Sequence, residues 1–373
     1  MRLALFTNIP SIHQIPLARA FADRLNGDFA LVCWESGEEE RRKLGWQDNF
    51  TEEWLVRAWR SAEESARAVE ILRTADVVVW GYAPQQEIEA RVARGKLTFR
   101  YTERLFKRGR WRILNPRVFR SILRIHTSSR ASVHHLLAVG PYCAADFRLI
   151  RAHQGRMWRW GYFPQVPETI SRQPSEIPVV LWAGRMIPWK RVDLLIRAAA
   201  WVRKQGAIFR LRLIGYGPEE KRLRALATHL GLADRCEFHG PMSPEEVGKA
   251  MEEADIYVLP SNQQEGWGAV LNEAMSRGCC VVGSKSAGSV PWLIRDGVNG
   301  YIFDGNDAEN LGRILLRCLE NPDRTREMGR NARVTMLNLW SPDVAAERFL
   351  KLCAAIESGT PSPFSDGGPC SPA

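Results

Sequence analysis

No apolar run in the 373-residue sequence approaches the ~18 residues that a membrane-spanning helix needs. The eight cysteines form no C-x-x-C pair and no Cys/His ligand spacing, which removes zinc-finger and thioredoxin-type readings. Only Cys279 and Cys280 adjoin, inside an apolar run, and the expectation is reduced, structural thiols in a cytoplasmic protein. The opening MRLALFTNIP is too short in its apolar part for a secretory leader and runs straight into a strand–loop pattern. Acidic residues are missing altogether from 104–130, where nine residues are Lys or Arg.

What is present is an uneven positive charge. The chain carries a formal +10; residues 1–177 hold 28 Lys/Arg against 19 Asp/Glu, and residues 178–373 hold 24 against 23. A negative partner is therefore expected for the first half only. In 104–130 the cations interleave with Phe106, Trp111, Ile113, Leu114, Val118, Phe119, Ile122 and Leu123. Such a mixture suits a helix lying on an anionic lipid surface, with a solvated basic face or a soluble anion as the plainer alternatives. No nucleic-acid motif accompanies the charge, so nucleic acid is not expected as a partner.

Short apolar runs alternate with amphipathic stretches throughout, the pattern of parallel strands with helical crossovers. In the first half the strands fall at 2–7, 29–34, 76–80, 96–101 and 136–140, with a helix predicted over 51–73 from Thr51, Glu52, Glu53 and the stripe Trp54, Ala58, Trp59, Ala62, Ala66, Val69. Four prolines mark a linker at 164–178. A second α/β series follows, with strands at 179–184, 209–215, 236–240, 256–261, 279–284 and 300–305 and helices at 190–204, 218–230, 243–253, 268–278 and 307–320. The expected organisation is an α/β chain of two doubly wound, Rossmann-like domains, 1–163 and 179–340, with a cleft between them. A helix at 341–356 and a Ser/Pro/Gly-rich tail at 357–373, expected to be disordered, complete it.

Three stretches of the second half carry chemistry. AGRMIPWKR sets Arg185 and Lys190 in a strand-to-helix loop, where two cations can hold a phosphate; a solvated loop is the alternative. IGYGPEE has Gly215 and Gly217, but Glu220 stands where the dinucleotide fingerprint requires a third glycine, so a tight turn is its meaning. EGWGAVLNE puts Glu265 before, and Glu273 inside, a helix predicted to start near Gly268. Free amides and the dipole at that start favour a phosphate, and glycines admit it closely. The helical part separates the acids by roughly 7–8 Å and the loop adds more, so they can flank the phosphate and accept from hydroxyls on both sides. A nucleotide-sugar has that order of groups: sugar, diphosphate, ribose. In the plainer alternative Glu265 caps the helix and Glu273 faces water.

With these residues on view, 179–305 resembles the retaining glycosyltransferases of family 4, of GT-B fold. The likeness weakens toward the N-terminus, where TNIPSIHQIPLARAF lacks the glycine-rich first loop of many members. The resemblance implies that Gly184, Arg185 and Lys190 hold the donor diphosphate, that Glu265 contacts the transferred sugar and Glu273 the ribose. It implies that Gly266, Trp267, Gly268 and Ala269 cradle the distal phosphate and that Phe238, His239 and Gly240 lie against the base. Bulky Trp267 is expected to narrow the sugar pocket. The implied activity is transfer from a nucleotide-sugar donor, with retention, to a glycan or lipid-linked acceptor at the inner face of a membrane. No cofactor or metal is expected, in keeping with the absence of an Asp-x-Asp pair. Acceptor-side candidates are His13, Glu103 and Arg104, the last two read equally as a surface pair. An epimerase or phosphorylase on the same fold, or an inactive nucleotide-sugar-binding subunit, are the competing readings.

Overall fold

The computed structural model describes residues 1–37, 49–172 and 175–373. They divide into two units, one taking the chain up to Pro164 together with Leu339–Ala373, the other Gln165–Asn338. The first holds seven strands: β1 (Leu3–Thr7), β2 (Phe29–Cys33), β3 (Leu55–Arg57), β4 (Val77–Trp80), β5 (Thr98–Thr102), β6 (His134–Val139) and β7 (Met157–Trp160). They lie parallel in the order β3-β2-β1-β4-β5-β6-β7. The second holds β8 (Val179–Ala183), β9 (Arg210–Ile214), β10 (Cys236–Phe238), β11 (Ile256–Leu259), β12 (Cys280–Ser284) and β13 (Gly300–Phe303). These are also parallel, in the order β10-β9-β8-β11-β12-β13.

Both sheets are covered on both faces, and their central strands are accordingly unbroken apolar runs. All five residues of LALFT and of VVLWA are buried. The helix Val192–Lys204 contributes Leu194, Leu195, Ala198, Ala199 and Val202 to the second core. Helix Pro244–Glu253 starts on a capping box between Ser243 and Glu246, and Pro342–Glu357 starts on Ser341. In each unit the first strand sits mid-sheet, with its successors on one side and the fourth on the other. The chain reverses direction between β1 and β4, and again between β8 and β11. Those are the points where the loops at the carboxyl ends splay apart and ligands are admitted.

Three expectations are corrected. The helix predicted over 51–73 is a strand, β3, followed by a helix at Ala62–Thr74 capped by the Ser61 hydroxyl, which accepts from the Glu64 amide at 3.2 Å. Pairing of Leu55 and Val56 with Leu31 and Val32 of β2, a long-range contact, outweighs the local stripe. Strand β7 and the helix Pro322–Asn338 were not expected at all. The tail is folded, not disordered. Cys370 and Ser371 are buried, Pro372 bridges Trp158 antiparallel, and the Arg159 amide donates to Ser371 at 2.8 Å. Arg348 holds this tail through both oxygens of Asp366, at 2.8 and 2.6 Å, with its guanidinium over the Phe364 ring. The polar composition hid a segment that bridges the open edge of β7.

Candidate functional site

The loops after β8 and β11 meet at the reversal of the second sheet. The first runs through Gly184 and Arg185 to a short turn, Pro188–Lys190, and the second ties to it where the Asn262 amide donates to the Trp189 carbonyl at 2.9 Å. Lys190 Nζ donates to Glu265 Oε2, and these side chains keep only 17% and 13% of their surface. Two charges so withdrawn from water stabilise one another, and removing either costs more than it would for an exposed pair. Arg185, in the same loop as Lys190, is exposed. The glycines of IGYGPEE have a plain steric role. A Cβ on Gly215 would lie 1.8 Å from the Gly184 carbonyl oxygen, and one on Gly217 2.4 Å from that of Met186. They let the loop after β9 press against the one after β8, as the tight-turn reading expected.

Gly268, at φ 92°, leads into the helix Val270–Ser276, and the Glu265 side chain lies against it. Glu273, in that helix's first turn, is half-buried, and loss of solvation pushes its carboxyl up to about 7 against the opposing pull of Arg277. Tyr257 of β11 is fully buried and donates its hydroxyl to the Ala183 carbonyl at 3.3 Å. Burial raises its phenol well above the ordinary value, and Glu273 and Glu265 both add to that rise. The two acids therefore bear on one buried hydroxyl at the end of β8: the structure brings together Lys190, Glu265, Gly268 and Glu273.

Trp267 departs from expectation. Its ring is fully buried, its indole N–H donates to Asn272 Oδ1 at 2.9 Å, and it meets Trp292 edge-on. An indole needs an apolar bed and one acceptor, and both lie inward. Phe238 ends β10, and His239 and Gly240 follow it. The His239 amide donates to Leu213 at 3.0 Å, its imidazole pairs with Glu237, and Arg224 lies over the Phe238 ring at 4.4 Å. The Gly240 carbonyl accepts from Gly215 at 2.6 Å, which links this loop to the same edge.

In the first unit, His13 lies in the loop after β1 with its ring beside Tyr162. Glu103, just past β5, accepts from the Tyr162 hydroxyl at 3.0 Å and from Lys107. Arg104 turns to buried Asp146 at 3.5 Å and lies over the Tyr142 ring. Tyr162 and Lys107 were missed: Tyr162 follows the unforeseen β7, and Lys107 is one of nine cations in a run that charge alone cannot sort. In that run a helix spans Pro116–Ser128, none of whose described residues is fully buried. Leu114 is 84% and Trp111 70% exposed, and Phe119 and Leu123 nearly half.

Two doubly wound parallel sheets in one chain, the second with a cation–acid pair at its reversal point, define the GT-B architecture. Residues 168–335, a little under half of the chain, match the family model "Glycosyl transferases group 1". Over 165 residues it is 33% identical to a D-inositol 3-phosphate glycosyltransferase of Streptomyces griseus, covering 42% of this chain and 34% of that one. Over 181 residues it is 30% identical to a GDP-mannose-dependent α-(1-6)-phosphatidylinositol monomannoside mannosyltransferase of Mycolicibacterium smegmatis, 47% of each. The chain thus spans a third to a half of the length of these relatives. In fold it is similar to Anabaena HepE, solved with UDP-glucose, at TM-score 0.68 and 18% identity over 95% of this chain and 99% of that one. The lipopolysaccharide-biosynthesis glycosyltransferase WaaG follows at 0.63 and 18%, over 92% and 98%.

Proposed function

We propose that this protein transfers a sugar from a nucleotide-sugar to a glycan or lipid-linked acceptor, with retention and without an obligate metal. The observation that carries the reading is the Lys190–Glu265 pair set against Gly268 at a helix start, with Glu273 on the far side. The names of similar proteins support the substrate classes: UDP-glucose for HepE, GDP-mannose and a phosphatidylinositol glycolipid for the mycobacterial relative. In this reading Arg185 and Lys190 hold the diphosphate, amides at 267–269 cradle its distal phosphate, and Glu265 takes hydroxyls of the sugar. Glu273 takes the ribose, and the 238–240 loop borders the base.

As the sugar–phosphate bond breaks toward an oxocarbenium-like state, negative charge grows on the departing diphosphate. Fixed cations and amides aimed at that charge supply the largest part of the acceleration. Attack from the same face lets the departing phosphate take the acceptor's proton and preserves the anomeric configuration.

The acceptor side belongs to the first unit, with His13, Glu103 and Arg104 at or just past the carboxyl edge of its sheet. The 104–130 segment rests on an anionic membrane at its cytoplasmic face. A helix with so little of its apolar side covered is marginal alone in water, and its company of cations without acids favours a negative, apolar cover. Sedimentation with anionic liposomes at low salt tests this: the protein pellets, and failure to pellet removes the membrane contact.

Incubation with UDP-, GDP- and ADP-sugars tests the activity. Nucleoside diphosphate release that depends on an acceptor and survives EDTA is expected. Conversion without an acceptor favours an epimerase, turnover driven by orthophosphate a phosphorylase, and binding without turnover an inactive subunit.

A further inference from the structure

The loop carrying Glu265 is braced from a part of the sheet that the donor reading leaves without a role, the turn after β12. There the Gly288 amide donates to the Glu265 carbonyl at 3.2 Å and the Ser289 amide to the Trp267 carbonyl at 3.0 Å. The backbones are in contact: a Cβ on Gly288 would lie 1.7 Å from the Gly266 carbonyl oxygen and 3.2 Å from the Trp267 nitrogen. No side chain fits there, and neither neighbour is a flexible group that could swing aside. From the other side, the Trp267 ring is pinned by Asn272 and Trp292. Residues 265–268 are therefore held between a backbone wall and a buried indole, while the Glu265 carboxylate emerges toward Lys190.

We infer that Gly288, with the Asn272–Trp267 hydrogen bond, is a positioning element for Glu265: it sets where that carboxylate stands and touches no substrate itself. The inference rests on the donor-site reading for its consequence, but its geometric content stands apart from it. Sites of this kind lose much of their rate when a reacting group shifts by about 1 Å. Glycine at 288 is then a requirement of the site, since the fold elsewhere accommodates Cβ atoms in the same turn at Ala287 and Ser289.

Gly288→Ala, with Asn272→Leu as a second route that leaves the wall intact, tests this. A crystal structure of either variant is expected to show residues 265–268 displaced and the Lys190–Glu265 pair parted. An unmoved pair in both overturns the inference whatever the turnover. In solution Gly288→Ala should lower nucleoside diphosphate release about 10- to 100-fold, yet by less than about threefold when made on top of Glu265→Gln, because groups acting through one another do not add. Full multiplication of the two losses sinks the inference, since a purely structural weakening would multiply. If the unaltered protein releases no nucleotide from any sugar, it is the donor reading that fails, and the displacement of the loop still decides the bracing.

Discussion

The two units share one strand order but finish it differently at the carboxyl edge. In the second, the loops after β8, β9, β11 and β12 are drawn together through glycines, at 215, 217 and 288, where backbone meets backbone. The result is a dry, rigid corner holding one ion pair. In the first, the corresponding edge is made of side chains: Tyr101, Tyr162 and His13 stack or tilt against each other, and Glu103 is shared between Tyr162 and Lys107. A corner built from backbone suits a ligand part that does not vary, such as a diphosphate. An edge built from side chains can be rewritten residue by residue, which suits an acceptor.

The comparison breaks most visibly if the second corner is not where charge develops. Arg185→Ala should reduce turnover by about 10²–10³ with the folded state intact, because Arg185 is exposed; near-unaltered release would sink the assignment. The next effect lies in the first unit. Deleting residues 360–373, or Arg348→Ala, strips the cover from β7 and leaves its edge open, and should lower the thermal midpoint by about 5–10 °C. Calorimetry showing no change would mean that the tail is decoration.

The smallest effect sets the units against each other by pH. Burial and neighbouring Arg156 push His135 down to about 3, and burial lowers His153 well below its usual value. The unfolded chain therefore binds more protons below about 6.5, and the first unit should weaken by a few degrees as pH falls from there. Glu273 runs the other way. Its carboxyl is raised to about 7 when folded, so stability is complete below about 4.5 and declines as pH rises through 7. Glu273→Gln should accordingly raise the melting of the second unit at pH 8 and leave it unchanged at pH 4. Equal effects at both values would show that the acid is not desolvated.

Legibility in the sequence follows the same division. Four of the six strands of the second sheet are plain apolar runs, β9 and β10 carrying Arg210, Arg212 and Glu237 as well, and Arg185, Lys190, Glu265 and Glu273 are named by spacing and by likeness together. What spacing does not show is the wall at Gly288, which is close to Gly266 only once β11 and β12 are paired. Nor does it show which way Trp267 turns. In the first half β3, β7 and the tail were lost because each is stabilised by a distant strand edge, and local composition spoke for helix, loop and disorder instead. Glu103 and Arg104 were seen as neighbours in the chain, although their partners, Tyr162 and Asp146, stand 59 and 42 positions away.

Because the first unit takes Leu339–Ala373 after the whole of Gln165–Asn338 in the sequence, the order of synthesis is not the order of completion. The segment from 165 to 338 leaves the ribosome whole and can close its core while its predecessor still lacks Phe349 against Phe21, Phe99 and Trp160, and the Pro372 bridge to Trp158. Until residues 370–373 are made, the nascent first unit carries the flank of β7 bare.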